Sequence, residues 1–311
     1  MLIEGTAEQP RDLAIAPVGN RLAYQTASVR DANLWRYPTS PSREAPVQLI
    51  ASAVYDGDAC YSPDGSRVAF CSERSGQTQI WISNSDGSNP RQLTFFEPGQ
   101  GVTGSPNWSP DGRQIAFDTR FRGSPSTIMV IASEGGEPRR LTGPGSIEHV
   151  PIWSHDGRWI YFSSERTERL EIWKAPATGG EPVRVTSSGG FEAFASPDGQ
   201  YLYYTKGRET AGMWRMPVEG GPETFLPETK AVVRHRYWCG ARDGIYFLDL
   251  SREPFLKFYG FSTRTVRALV PAPLPPVPRF RGLSVSPDGR YFLYMQYDVR
   301  RSAIMLVDGF R

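Results

Sequence analysis

The sequence is poor in the residues that most often carry chemistry or cross membranes. Its 311 residues include three histidines and three cysteines. An odd count of cysteines without regular spacing is no disulfide framework. Cys60 and Cys71 flank one expected hairpin, where a diagonal pair stands too far apart for a relaxed bridge, so the thiols read as buried. Lysine occurs only at 174, 206, 230 and 257, and the arginines are scattered, with a net charge of +2. Without a concentrated basic stripe, nucleic-acid binding through this domain is not expected. No apolar run reaches the ~18 residues of a spanning helix, and the first residues have no signal-peptide pattern. The expected location is periplasmic if a membrane helix precedes the chain in its parent protein and cytoplasmic otherwise.

Punctuation and rings are plentiful: 31 Gly, 27 Pro, 8 Trp, 14 Tyr and 16 Phe. Many turns and many aromatics favour short strands over helices. The turns repeat. Ser62-Pro63-Asp64-Gly65 recurs as Ser109-Pro110-Asp111-Gly112, Ser154-His155-Asp156-Gly157, Ser196-Pro197-Asp198-Gly199 and Ser286-Pro287-Asp288-Gly289. Ala16-Pro17-Val18-Gly19 and Ala241-Arg242-Asp243-Gly244 are weaker copies. The glycines recur at the period of a four-stranded propeller blade. Proline presets the turn, aspartate accepts its backbone N–H groups, and glycine takes the left-handed residue that closes the hairpin.

An apolar triplet follows each turn, as in Val68-Ala69-Phe70, Ile115-Ala116-Phe117 and Ile160-Tyr161-Phe162. A third strand comes next, often with tryptophan (Trp35, Trp81, Trp173, Trp214), then a glycine turn and a fourth strand. Four antiparallel strands make a blade. The expected fold is therefore all-β, one domain over residues 1–311: a seven-bladed propeller with blades near 11–50, 54–96, 102–142, 147–186, 190–226, 232–270 and 280–310. The segment 2–6 supplies the last blade's outer strand and so removes an open edge. Six blades is the alternative.

The stretches YSPDGSRVAFCSERSGQTQIWISNSDGSNPRQLTF and PIWSHDGRWIYFSSERTERLEIWKAPATGGEPVRVT resemble TolB-type, WD-like propeller repeats. The pattern GNRLAYQTASVRDANLWRY and the ending LSVSPDGRYFLYMQYD…MLVDGFR resemble the C-terminal propellers of CadC-like bacterial transcriptional regulators. That resemblance implies signal sensing or protein docking, apart from the winged-helix domain that reads DNA.

The links from each fourth strand to the next first strand are expected to border one mouth of the channel. They carry Asp58, Glu148, His149, Glu192, His235, Arg236 and Arg281, and this mouth is the expected site for a protein partner or small ligand. No metal is expected: the histidines lack ligand spacing. No other cofactor is expected either. Oligogalacturonate lyases of this propeller type depend on a histidine-rich site, and prolyl oligopeptidase propellers are joined to a hydrolase domain, for which no Gly-x-Ser-x-Gly elbow exists here. The turn serines recur in nearly every copy, so the architecture explains them. Arg74, Arg120 and Arg166 follow three second strands and read as ion pairs or stacking on blade aromatics, with a ring for an anion as the alternative. Residues 271–278 read as a stiff proline-rich connector. The function expected is a monomeric, non-catalytic interaction or sensing propeller, with a TolB-like envelope scaffold and a carbohydrate-active lyase as alternatives.

Overall fold

The computed structural model describes residues 11–16, 21–28, 32–208, 210–232, 236–272, 283–297 and 301–308. Its five serine turns are built alike. The Ser62 hydroxyl donates to Asp64 (2.5 Å) and accepts the Arg67 N–H (2.9 Å), and the Gly65 N–H donates to the Ser62 carbonyl (2.9 Å). Ser109, Ser154, Ser196 and Ser286 repeat the bond to their own aspartates at 2.5–2.6 Å. Gly65 lies at φ +72°, which a side chain would strain. His155 stands where the other turns have proline, yet Gly157 still bonds Ser154 (3.0 Å). The serine therefore holds the turn, and proline only favours it.

Five blades each use one uninterrupted stretch. The inner strands of blades one to five are Asp56–Tyr61, Gly101–Trp108, Glu148–Trp153, Phe191–Ala195 and Trp238–Ala241. Each is followed outward by three antiparallel strands. In the sixth blade the inner strands Leu283–Val285 and Tyr291–Tyr297 are continued by Ala32–Pro38 and Val47–Ile50 from the other end of the chain. The six inner strands touch in a closed circuit, the last against the first.

The count corrects the sequence expectation. Among the described residues, six four-stranded blades close the ring, not seven. The expected first and seventh blades share their strands: two from each make blade six. Arg11–Ile15, Arg21–Ser28 and Arg301–Asp308 form a separate three-stranded sheet. The reason is partner choice: Arg21–Ser28 pairs with Arg301–Asp308 rather than folding back on its own third strand. The expected latch strand at 2–6 lies outside the described residues.

The apolar triplets supply the core. Phe70, Phe117, Phe162, Tyr204, Phe247 and Tyr294 occupy one position in six successive blades, each at most 1% exposed. A ring so buried contributes about 1.5–3 kcal/mol. Among the described residues no helix is long and apolar enough to cross a membrane.

Candidate functional site

The inner strands are not regular. Pairing slips between Gly57 and Cys60, between His149 and Ile152, and between Phe191 and Ala193. At this level Asp58, Ser105, Val150, Glu192 and Arg236 all have positive φ, between 48° and 66°. Such residues cost about 1–3 kcal/mol each unless neighbours hold them. Here the preceding blade does. Asp58 accepts the Ser105 N–H (3.2 Å), Asp118 the Val150 N–H (2.9 Å), the Ser163 hydroxyl the Glu192 N–H (3.1 Å), and Glu192 the Arg236 N–H (2.6 Å). The bulges thus form a staircase of bonds that stitches blades one to five around the axis.

Arg236 completes it. From blade five its guanidinium reaches Asp58 of blade one (3.1 Å), Ser105 of blade two (2.5 Å) and Asp118 (3.9 Å). It therefore crosses the channel. Burial opposes its charge, but the carboxylates of Asp58, Asp118 and Glu192 outweigh burial and hold its pKa above the ordinary guanidinium range. Gly104 leaves the space: a Cβ there would stand 2.9 Å from Asp118 and 3.4 Å from Asp58. Tyr55, buried beside this cluster, has its phenol raised well above 10 by burial and then by Asp58.

The structure thus brings together three of the expected site residues, Asp58, Glu192 and Arg236. Glu148 turns into its own blade, where it pairs with Arg166 (2.5 Å), which lies over the Trp173 ring (5.4 Å). Arg74 does the same with Asp56 (2.9 Å) and Trp81 (5.1 Å), and Arg120 is exposed, so the three arginines form no ring. His149 stands apart, near Arg208 (2.8 Å) and Glu165 (3.5 Å). Burial, joined by Arg208, lowers its pKa against the pull of Asp118 and Glu165. His235, Arg281 and the stretch 273–278 lie outside the described residues. Among the described residues no three of His, Cys, Asp and Glu are grouped to hold a metal.

Asp118 and Ser105 were missed. Asp118 sits mid-strand, and only the bulge opposite turns it to the axis. The cavity is also not at the expected mouth. It is a funnel of about 1100 Å³ that opens on the face of the Ser-x-Asp-Gly turns, with Pro63, Pro110, His155, Pro197 and Pro287 at its lip. All six blades line it. Below the lip stand Cys60, Asn107, Ile152, Phe194, Cys239 and Ser284, each two residues before a turn serine or its equivalent. That position could have been read from the alternation of the inner strands. Glu192 lines the funnel, and Trp108, Trp153 and Trp238 add indoles. The Phe194 ring covers Gly240, where an added Cβ would stand 2.2 Å from it.

Residues 96–233, blades two to four, match the TolB beta propeller domain. Those three blades are TolB-like, and the described residues fold as a six-bladed β-propeller. An uncharacterized protein of Agrobacterium fabrum is 30% identical to this propeller over 167 residues, 53% of this chain and 55% of its own length. The uncharacterized peptidase YuxL of Bacillus subtilis is 27% identical over 199 residues, 50% of this chain and 30% of its own. The TolB homolog of Chlorobium chlorochromatii is 35% identical over 148 residues, 46% of this chain and 32% of its own. The propeller thus spans about half or less of these curated relatives. The crystal structure of TolB from Acinetobacter baumannii superposes with a TM-score of 0.60 at 17% identity, over 82% of this chain and 61% of that one. An oligogalacturonate lyase from Vibrio parahaemolyticus superposes with a TM-score of 0.50 at 12% identity, over 97% of each. At these identities the superpositions concern the TolB-like propeller fold alone. The resemblance to CadC-like regulators gains no support from these relatives.

Proposed function

We propose that this propeller is a non-catalytic binding domain that takes a ligand, or a segment of a protein partner, into the funnel. The observation that carries this reading is the funnel itself, an aromatic-walled cavity of about 1100 Å³ to which all six blades contribute. Concave, mostly apolar cavities with a few convergent polar groups are where ligands bind. Its serines have structural tasks. Ser62, Ser154 and Ser286 donate to the aspartates of their own turns, and the Ser284 hydroxyl accepts the Tyr61 N–H. A nucleophile needs a base in reach, and these serines face carboxylates that shape a turn. The peptidase and lyase among the relatives keep catalysis open to test. The sensory half of a regulator, implied by the CadC-like resemblance, is one form of this reading.

The test uses the tryptophans. Trp108, Trp153 and Trp238 line the funnel, and the other five of the eight do not. With 5-fluorotryptophan incorporated, pools of metabolites and short peptides are screened by fluorine NMR. Binding in the funnel moves three resonances and leaves five, with no product formed. Turnover of a bound compound, or binding that moves only the other five, sinks the proposal.

A further inference from the structure

Of the carboxylates near the axis, Glu192 makes no ion-pair contact with a described residue. Asp58 holds the Arg236 guanidinium at 3.1 Å, Asp118 holds it at 3.9 Å, and Asp56 and Glu148 pair with Arg74 and Arg166. Glu171 takes the Thr186 hydroxyl (2.6 Å) and the Gly189 N–H (3.1 Å). Glu192 is 3% exposed, and one oxygen accepts the Arg236 N–H. Among the described residues no cationic side chain comes within 4.0 Å of it, and its other oxygen has no donor. It lines the funnel, and it shares the charge of one guanidinium, that of Arg236, with Asp58 and Asp118. One guanidinium does not neutralise three carboxylates, and a buried carboxylate short of counter-charge is costly, which makes the site attractive to a cation.

A second observation lies on the adjoining blade. Trp108 and Trp153 donate their indole N–H groups to the carbonyls of Cys60 (3.1 Å) and Asn107 (3.2 Å). Trp238 also lines the funnel and is 3% exposed, but its indole N–H has no acceptor among the described residues. Among the described residues, a carboxylate with no cationic side chain in contact and an indole N–H with no acceptor thus line the same funnel, whose aromatic rings also favour cations.

Resting on the funnel-binding reading, we infer that the funnel's ligand carries a primary ammonium group, which Glu192 receives. The amino terminus of a peptide and a lysine side chain both present that chemistry.

The probes are three pools of random tetrapeptide amides offered to the 5-fluorotryptophan protein. One has free amino termini and no lysine, one is acetylated and contains lysine, and one is acetylated without lysine. The expected result is that an ammonium-bearing pool moves the three funnel resonances, that the fully blocked pool does not, and that Glu192→Gln weakens binding at least tenfold. The glutamine still accepts the Arg236 N–H, and an unchanged melting temperature shows that the ring is intact. A variant-free arm follows pH: affinity for free termini falls above about pH 8 and affinity for lysine only above about pH 10. Equal binding of the blocked pool, or no effect of Glu192→Gln, overturns the ammonium and leaves the funnel-binding reading standing. Silence from all three pools overturns the ammonium as well, and the funnel-binding reading falls with it only if the metabolite pool is also silent.

Discussion

Blades one to five and blade six have the same four strands and the same buried ring, yet they are assembled differently. In blade three, Trp159 follows the turn glycine and pairs with Pro176 at the end of its own hairpin. Carried to the first and last repeats, that spacing would pair Arg21 with Pro38 and Tyr291 with Asp308. The structure pairs Arg21 with Asp308 and Tyr291 with Pro38. The four strands are those of two ordinary hairpins, with partners exchanged and register kept. Local pattern decides what becomes a strand. Which strand it meets is decided by ring closure, a long-range event that joins the two ends of the chain and removes two open edges.

Deleting residues 1–50 breaks this comparison most severely. It removes the outer strands of blade six and uncovers Phe292, Leu293, Tyr294 and Met295, all at most 1% exposed. At about 1.5–3 kcal/mol per ring or large side chain, the loss rivals the 5–15 kcal/mol that separates folded from unfolded domains. The shortened chain is expected to show no cooperative urea transition and little near-UV circular dichroism. A sharp transition would mean that five blades stand without closure.

Next in size is Arg236→Ala. The stitching around the axis runs through blades one to five, and Arg236 is where it crosses the channel. Removing the guanidinium takes its ion pair from buried Asp58, and breaking such a pair costs about 3–5 kcal/mol. Urea denaturation measures it. A loss below about 1 kcal/mol would mean that the crossing arginine contributes little to holding the ring.

Much of this was legible in the sequence. The turns, the apolar triplets and the blade of four strands follow from local chemistry. The blade count did not, because two hairpins and their exchanged form use the same residues in the same register. For the site, Asp58, Glu192 and Arg236 stood in links marked as bordering the channel. Asp118 did not, since a bulge on the facing strand turns it inward. The wide mouth was sought on the link face because polar loops draw attention, whereas the funnel wall is made of unremarkable inner-strand positions such as Ile152 and Phe194.

A cross-link sharpens the comparison at a smaller cost in energy. Directly paired antiparallel residues stand about 4.5–5.5 Å apart at Cα, within disulfide range. Arg21→Cys with Asp308→Cys is expected to oxidise readily and raise the melting temperature, and Arg21→Cys with Pro38→Cys is expected not to. Closing so long a loop stabilises by up to about 4 kcal/mol, although engineered bridges often give less. If the second pair oxidised instead, the ends would form ordinary hairpins.

The smallest expected effect asks whether blade six differs anywhere but in its outer strands. Its inner turn, Ser286 to Gly289, has the bonds of the turn at Ser62 to Gly65. Ser286→Ala and Ser62→Ala are each expected to cost about 1 kcal/mol, the worth of a hydrogen bond. Both turns also make stability depend on acid. The Ser62 hydroxyl and the Ser66 N–H lower Asp64 to about 2, and the Ser286 hydroxyl lowers Asp288 against a smaller opposing effect of desolvation. A carboxylate depressed in the folded state binds fewer protons there than in the unfolded chain. Its contribution is present above about pH 4 and is lost as pH falls toward about 2. Each serine variant should therefore be closer to wild type at pH 2.5 than at pH 6, and by a similar margin in both blades. A deficit in Ser286→Ala several-fold larger than in Ser62→Ala would place weakness in the inner half of blade six too. Equal deficits confine the difference between the two kinds of blade to the strands that close the ring.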